Sequence, residues 1–364
     1  MRIGVDARAA AEVPAGRGRY VRELLRALSA IDSEERFTLY CRESADLGLD
    51  ERFIWAPIGS GDPVWHVRAA RRASRECDVF LSTNSYLTAW FTRVPTAVVI
   101  YDLVAFVPGA RAQGRAALIE RATIAPAIRR AAALLCISRA TRDDLVARFP
   151  RAAGRAVVTE LAADARFARA WRNEELAAVR ARHGLARPFV LAAGTLEPRK
   201  NLERLIAAWS ALDAATRAAH ELALVGPLGW DAQGIVAAAQ HADVRLLGHV
   251  SDDDLAALYA ACTLFAYPSL YEGFGLPVLE AMASGAPVLT SDTSALPEVA
   301  GDAALLVDPR NTAAIGAGIG ALLGDRPRRT QMAQRGRTRA AGYSWERCAR
   351  ETLAALHTLR PRDG

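Results

Sequence analysis

The chain has 364 residues, of which 51% are hydrophobic and 24% charged, enough for two globular domains of ordinary size. That balance excludes fibrous and disordered classes, and no apolar run approaches the length of a membrane span. The net charge of +6 is concentrated in residues 1–165, which carry 24 arginines against 19 acids. With no aromatic–basic interleaving and no nucleic-acid motif, it favours an anionic acceptor or membrane surface over DNA or RNA.

The opening, MRIGVDARAA, lacks a signal peptide's apolar core, and residues 2–5 read as a buried strand. A loop with Gly16 and Gly18 leads into a helix over about 18–30, with Val21, Leu24, Leu25 and Leu28 at helical spacing. A glycine-spaced loop between a first strand and helix can cradle phosphate, although a plain turn explains it equally well. Strands are expected at 37–41 and 52–58. Residues 64–77 put Arg68, Arg71, Arg72 and Arg75 on one helical face with Trp65 nearby. Such a face suits anionic lipid or, more simply, water.

Strands follow at 78–83 and 96–103, the second nearly all apolar and therefore central. Its end, Tyr101 and Asp102, should open onto the cleft where open α/β sheets bind ligands. Tyr86, Trp90 and Phe91 either line an acceptor pocket or pack beneath a loop. Strands at 133–138 and 156–161 close the first sheet, and Ser138 suits a helix N-cap. The weakly patterned stretch 166–187 reads as a linker between a domain over 1–165 and another over 188–343.

Residues 188–212 read as strand, loop and helix, with Leu202, Leu205, Ile206, Trp209 and Leu212 on one apolar face. The loop puts Arg199 and Lys200 at a strand-to-helix junction, where phosphates are held. The chain's single lysine is Lys200, which suggests a need for a compact ammonium there rather than a planar fork. Further strands are expected at 221–226, 244–250, 264–269 and 286–292. Ser251 and Asp254 form a capping-box pattern opening a helix over 252–261. The tail is helical, with Trp345 and Leu353 as packing residues. The five cysteines (41, 77, 136, 262, 348) are scattered and predict reduced thiols in a cytoplasmic protein. The histidines are also scattered, so no metal site is expected.

The stretch 267–285, YPSLYEGFGLPVLEAMASG, carries Glu272 and Glu280 eight residues apart. Pro277 suits a first helical turn and Gly285 a C′ stop, which predicts a helix over about 277–284. The Gly273-Phe274-Gly275 loop ahead of it offers backbone N–H groups and the positive dipole end to a phosphate. Carboxylates repel phosphate, so Glu272 and Glu280 should serve hydroxyl groups. Phosphate and hydroxyls on one segment point to a sugar nucleotide; a turn with two solvated glutamates is the plainer alternative.

This stretch resembles the Glu-x7-Glu signature of retaining glycosyltransferases of family 4. The resemblance extends through GTLEPRKNLERLI (194–206), LGHVSDDDLAALY (247–259) and LPEVAGDAALLVDP (296–309), and more loosely AGRGRYVREL (15–24). It implies an α/β GT-B fold, two Rossmann-like domains facing a cleft. The acceptor would sit on the first domain and the nucleotide sugar on the second, and a helix over 344–364 would cross back to the first.

By the same resemblance, Gly16 and Gly18 face the donor diphosphate. Arg199 and Lys200 supply its cations, together with backbone at Gly273, Phe274, Gly275 and Leu276. Glu272 holds donor-sugar hydroxyls, Glu280 the ribose, and backbone around Val250 the nucleobase. The catalytic set implied is Arg199, Lys200, Glu272 and Asp102. Two departures stand out: Tyr101 replaces the histidine usual before the aspartate, and Thr195 replaces the arginine usual after the loop glycine. A phenol can donate a hydrogen bond but shuttles protons poorly near neutral pH.

The implied chemistry is hexosyl transfer with retention, by a front-face route in which the leaving diphosphate is stabilised electrostatically, with no metal or other cofactor. The wording resembles bacterial mannosyltransferases of glycan assembly. It suggests GDP-mannose as donor and a glycan or lipid-linked acceptor, and a peripheral position at the inner face of the membrane through Arg68, Arg71, Arg72 and Arg75. A nucleotide-sugar epimerase of the same fold and a non-catalytic sugar-nucleotide-binding module are the alternatives.

Overall fold

In the computed structural model, which describes residues 1–13, 16–107 and 115–359, the short apolar runs form parallel strands in two sheets. The first sheet holds β1 (Arg2–Asp6), β2 (Arg36–Cys41), β3 (Phe53–Pro57), β4 (Val79–Ser82), β5 (Thr96–Ile100), β6 (Ala133–Cys136) and β7 (Ala156–Val158). Their order is β3-β2-β1-β4-β5-β6-β7. The second holds β8 (Phe189–Ala193), β9 (Glu221–Val225), β10 (Arg245–Gly248), β11 (Leu264–Tyr267), β12 (Val288–Ser291) and β13 (Ala304–Val307), in the order β10-β9-β8-β11-β12-β13. Every residue of β5, β8 and β9 is buried, as expected of central parallel strands covered on both faces by helices. The protein is thus α/β, with two doubly wound units.

The first unit comprises most of residues 1–161 and the C-terminal stretch from Ser344; the second runs from Ala162 to Tyr343. The C-terminal helix Trp345–His357 is opened by Ser344, whose hydroxyl accepts from the Arg347 N–H. It packs on the helix Arg17–Ala30, with the Trp345 and Tyr20 rings 6.1 Å apart and Leu353 and Leu356 buried. In the second unit, Leu202, Leu205, Ile206 and Trp209 are buried with Ile315, Ile319 and Leu322 of the helix Thr312–Gly324.

Several local expectations change in the structure. Residues 166–187 are not an extended linker: they hold the helix Asn173–Arg182, which packs on the helix Asp252–Ala261. Its periodicity is faint because Val179 is its only buried residue, and it is fastened by polar contacts instead. Asp254 accepts from His183 Nε2 at 2.9 Å and also pairs with Arg182. The strand expected at 96–103 stops at Ile100, because the Asp102 carboxylate turns the chain by accepting the Val104 N–H at 2.9 Å. Periodicity also fails to reveal the helix Arg115–Arg130, which has Pro126 in its interior.

The helix Val64–Glu76 exposes Arg68, Arg71, Arg72 and Arg75, but Trp65 lies on the opposite, buried face. Its indole donates to the Cys41 carbonyl at 3.3 Å, and the Arg8 guanidinium sits 3.8 Å from its ring centroid. Trp65 therefore belongs to the core and not to the basic face. Among the described residues, no helix is long and apolar enough to cross a membrane. All five cysteines are free and buried.

Gly18 has a packing explanation of its own. A Cβ there would stand 1.6 Å from the Val13 carbonyl oxygen and 2.7 Å from that of Ala9, so backbone would have to move. Gly16, by contrast, has φ +55° and open space around it. Gly18→Ala should therefore destabilise the first unit by about 3 kcal/mol, while Gly16→Ala, which meets backbone strain at its positive φ but no clash, should cost less. Thermal unfolding of the two variants side by side checks the ranking; equal melting points would contradict it.

Candidate donor site in the second unit

The site is built where two strand ends meet. After β8, Gly194 (φ +134°) turns the chain, and a Cβ on neighbouring Gly226 (φ +142°) would collide with the Gly194 carbonyl oxygen at 2.1 Å. Only a residue without a side chain lets these two turns lie so close. A short 3₁₀ turn, Pro198–Lys200, then delivers Arg199 and Lys200, and Asn201 at φ +60° opens the helix Leu202–Ser210. The Asn201 amide donates to the carbonyls of Pro268 (2.9 Å) and Pro309 (2.6 Å). The Arg199 carbonyl accepts from Leu270 N–H (2.9 Å) and lies 3.0 Å from the Ser269 hydroxyl oxygen. These bonds stitch the loop after β8 to the loop after β11.

The second loop leads into the helix Leu276–Ser284, with Gly275 at φ +110° before it, Pro277 in its first turn and Gly285 at φ +81° after it. A Cβ at Gly275 would meet Leu296 Cδ2 at 2.8 Å. The glycine–proline–glycine punctuation read from the sequence therefore corresponds to the actual helix boundaries. Glu280 lies on this helix and is 3% exposed, which rules out a simply solvated glutamate.

Glu272 is the hub. Its Oε1 accepts from Lys200 Nζ at 2.7 Å, the Tyr267 hydroxyl at 2.8 Å and the Ser269 hydroxyl at 2.7 Å. Its Oε2 pairs with Arg199 Nη1 at 2.7 Å. Its backbone N–H donates to the Ser294 hydroxyl at 3.0 Å. Lys200 also donates to the Tyr267 hydroxyl at 2.5 Å. Arg199 gives two bonds to Glu197 Oε1, at 3.1 and 2.6 Å, and one to the Tyr271 carbonyl at 2.8 Å.

Burial alone would raise the Glu272 pKa; Arg199 and Lys200 outweigh it and hold the carboxyl at about 2. Burial, with Arg199 alongside, draws Lys200 below the ordinary lysine value despite Glu272. Burial and Glu272 push the Tyr267 phenol upward, so it serves as a neutral hydrogen-bonding group. The family resemblance puts Arg199, Lys200 and Glu272 in one site, and the fold brings them within direct contact. Nothing in the sequence marks Tyr267, Ser269, Glu197 and Ser294 as their partners, although three of these lie inside the stretches that carry the resemblance.

Other candidates fall elsewhere in the chain. Val250 is buried just beyond β10 in the second unit. Gly16, Gly18, Tyr101 and Asp102 lie in the first unit. The Tyr101 hydroxyl donates to the Thr83 carbonyl at 2.6 Å, burial pushes its pKa up, and its ring stands edge-on to Tyr20 at 5.3 Å. It is committed to the framework rather than held ready for proton transfer. A cavity of about 270 Å³ opens beside it, lined by Arg17, Asn84, Ser85, Tyr86, Tyr101 and Glu120. Trp90 is tied into the packing, donating to the Thr123 carbonyl at 3.1 Å, and Phe91 is exposed.

Two doubly wound units, the second with a glycine-opened helix and a buried cation–carboxylate cluster, have the GT-B architecture. Residues 177–339, almost all of the second unit, match the family described as glycosyl transferases group 1. Among similar proteins, the O-antigen chain mannosyltransferase B of Escherichia coli is 35% identical over 230 residues, 62% of this chain and 60% of that protein. The serotype-specific mannosyltransferase WbdA of Escherichia coli is 34% identical over 164 residues, 43% of this chain and 20% of that one. The chain thus spans three fifths or less of the length of these relatives. HepE from Anabaena, solved in complex with UDP-glucose, shares the fold, with a TM-score of 0.80 over 98% of this chain and all of that one at 17% identity.

Proposed function

We propose that the protein is a retaining hexosyltransferase that moves a mannosyl group from GDP-mannose to a glycan or lipid-linked acceptor. The observation that carries this reading is the Arg199–Lys200–Glu272 cluster, buried beside the helix that Gly275 opens. A nucleoside diphosphate needs cations and oriented N–H groups, and a sugar needs carboxylate oxygens; the cluster and residues 273–276 supply both. The mannosyltransferase relatives support the choice of sugar.

In this mechanism the bond between the anomeric carbon and the diphosphate oxygen breaks as the acceptor oxygen adds on the same face. The acceptor proton passes to the departing diphosphate. The protein's part is to stabilise the negative charge that builds on the leaving group, through Lys200, Arg199 and the backbone at 273–276. Glu272 would hold sugar hydroxyls, Glu280 the ribose and backbone near Val250 the base. The acceptor would enter the cavity beside Tyr101, with Asp102 near it. An epimerase needs an acid–base pair, and the bonded Tyr101 hydroxyl is poorly suited to be half of one.

The five buried thiols fit a reducing compartment such as the cytoplasm. The exposed arginines of the helix Val64–Glu76 could meet anionic lipid, although Arg72 is already paired with Glu76 at 2.9 Å. The test of the donor site is thermal unfolding against GDP, UDP, ADP, CDP and TDP in turn. At a hundredfold its dissociation constant, a ligand stabilises by about 2.7 kcal/mol. GDP is expected to raise the melting point most; no shift with any of the five would remove the basis for a donor site.

A further inference from the structure

We propose that Arg199 is a positioning residue that clamps Glu272, leaving Lys200 as the cation that touches the donor diphosphate directly. This division of labour rests on the donor-site reading and goes beyond it, since that reading gives the two cations one role.

Each cation keeps one N–H uncommitted among the described residues, so what separates them is how firmly each is held. A guanidinium has five N–H groups and an ammonium three. Arg199 uses four: Nε and Nη2 on Glu197, and Nη1 on the Tyr271 carbonyl and Glu272 Oε2. Three residues from two loops therefore fix its plane, and rotating it towards a ligand would break contacts with two carboxylates at once. Lys200 uses two of its three N–H groups, on Tyr267 and Glu272 Oε1, and keeps one for a ligand. A point charge on a flexible stem can also reorient when an anion arrives, whereas a planar fork held at both edges cannot.

The same count applies to the carboxylate. Glu272 Oε1 already accepts three bonds and Oε2 accepts one, so a sugar hydroxyl has room only at Oε2. That is the oxygen Arg199 holds. Arg199 thus sets where the carboxylate presents its remaining acceptor site, and it acts on the sugar through Glu272. Tyr267 and Ser269 hold the opposite oxygen in the same way. The charged and titratable groups that face Glu272 are Arg199 and Lys200 from the loop after β8, with Glu197 behind Arg199, and Tyr267 from β11.

Two measurements on Arg199→Gln, Arg199→Lys and Lys200→Ala test the assignment. The first needs no ligand: carbon-13 NMR of glutamate carboxyls in the free protein, with the Glu272 signal assigned by its loss in Glu272→Gln. In the native chain Glu272 should stay ionised down to about pH 3, and in Arg199→Gln its titration should rise by at least about one pH unit, because its strongest cationic neighbour is gone. Arg199→Lys should restore part of that shift. An unchanged titration in Arg199→Gln would overturn the clamp.

The second measurement is calorimetric binding of GDP. Arg199→Gln should bind within about threefold of the native chain, while Lys200→Ala should lose at least about tenfold, the scale of a charged hydrogen bond. Equal losses in both variants would make Arg199 a phosphate ligand and overturn the division. If the native chain itself binds neither GDP nor another diphosphate, the donor-site reading fails, and the NMR arm still decides whether Arg199 clamps Glu272.

Discussion

Lys200→Ala is expected to lower turnover by about 10²–10³-fold, or about 3–4 kcal/mol of transition-state stabilisation, the scale for removing one preorganised donor. In the proposed transfer, charge on the leaving diphosphate would grow as the anomeric bond stretches, so the ammonium should matter more in the transition state than in the ground state. The loss should then fall mainly on kcat, with a smaller rise in donor KM. Arginine should not rescue the variant. The Lys200 side chain is only 10% exposed, and a Cβ on Gly194 would already approach Lys200 Cε at 3.5 Å, so the slot suits a narrow stem and not a guanidinium fork. Folding should survive, because Glu272 keeps its Arg199 partner at 2.7 Å, and a melting curve checks this. Steady-state kinetics with donor and acceptor make the measurement. Near-native turnover in Lys200→Ala would remove this lysine from the chemistry.

The sequence allowed some of this site to be read and concealed the rest, and the division follows the range of the interactions. Local signals were reliable. Pro277 and Gly285 bracketed the helix Leu276–Ser284, and Ser138 and Ser251 cap their helices through the Thr141 and Asp254 N–H groups. Of the expected apolar face, Leu202, Leu205, Ile206 and Trp209 are buried as their spacing required, while Leu212 lies beyond the helix end and is half-buried. Long-range partners were invisible. Alternation along β11 could bury Tyr267 but could not bring its hydroxyl to a lysine 67 positions away. Glu197, two residues from Arg199, was in view, yet nothing local says that the pair will bond to each other instead of facing solvent. Tyr101 is the reverse case. Its type already argued against a proton shuttle, and the Thr83 carbonyl that occupies its hydroxyl gives an independent structural reason.

Glu272→Gln should move two properties in opposite directions. Removing the charge leaves Arg199 and Lys200 together in a site where both are largely buried, and breaking a buried ion pair from one side costs about 3–5 kcal/mol. At about 2–4 °C per kcal/mol for a unit of this size, the melting point should fall by roughly 10 °C. The pH dependence has a definite sign. The folded-state pKa of Glu272 is depressed to about 2, so its stabilisation is fully present above the unfolded-state value near 4.3 and is lost as pH falls towards the folded value. The gap between native and variant melting points should therefore be constant above about pH 5 and close between about pH 4 and 2. An anion should see the opposite effect. In the native chain the carboxylate neutralises the cations that a diphosphate would reach on the proposed reading, so pyrophosphate should have to compete with Glu272 for them. In Glu272→Gln that competitor is gone, and pyrophosphate should bind about tenfold tighter, about 1.4 kcal/mol, while sugar transfer falls because the hydroxyl acceptor is weakened. Calorimetry with pyrophosphate and differential scanning across pH are sufficient. Weaker pyrophosphate binding in the less stable variant would mean that Glu272 orders the cations for the anion rather than competing with it.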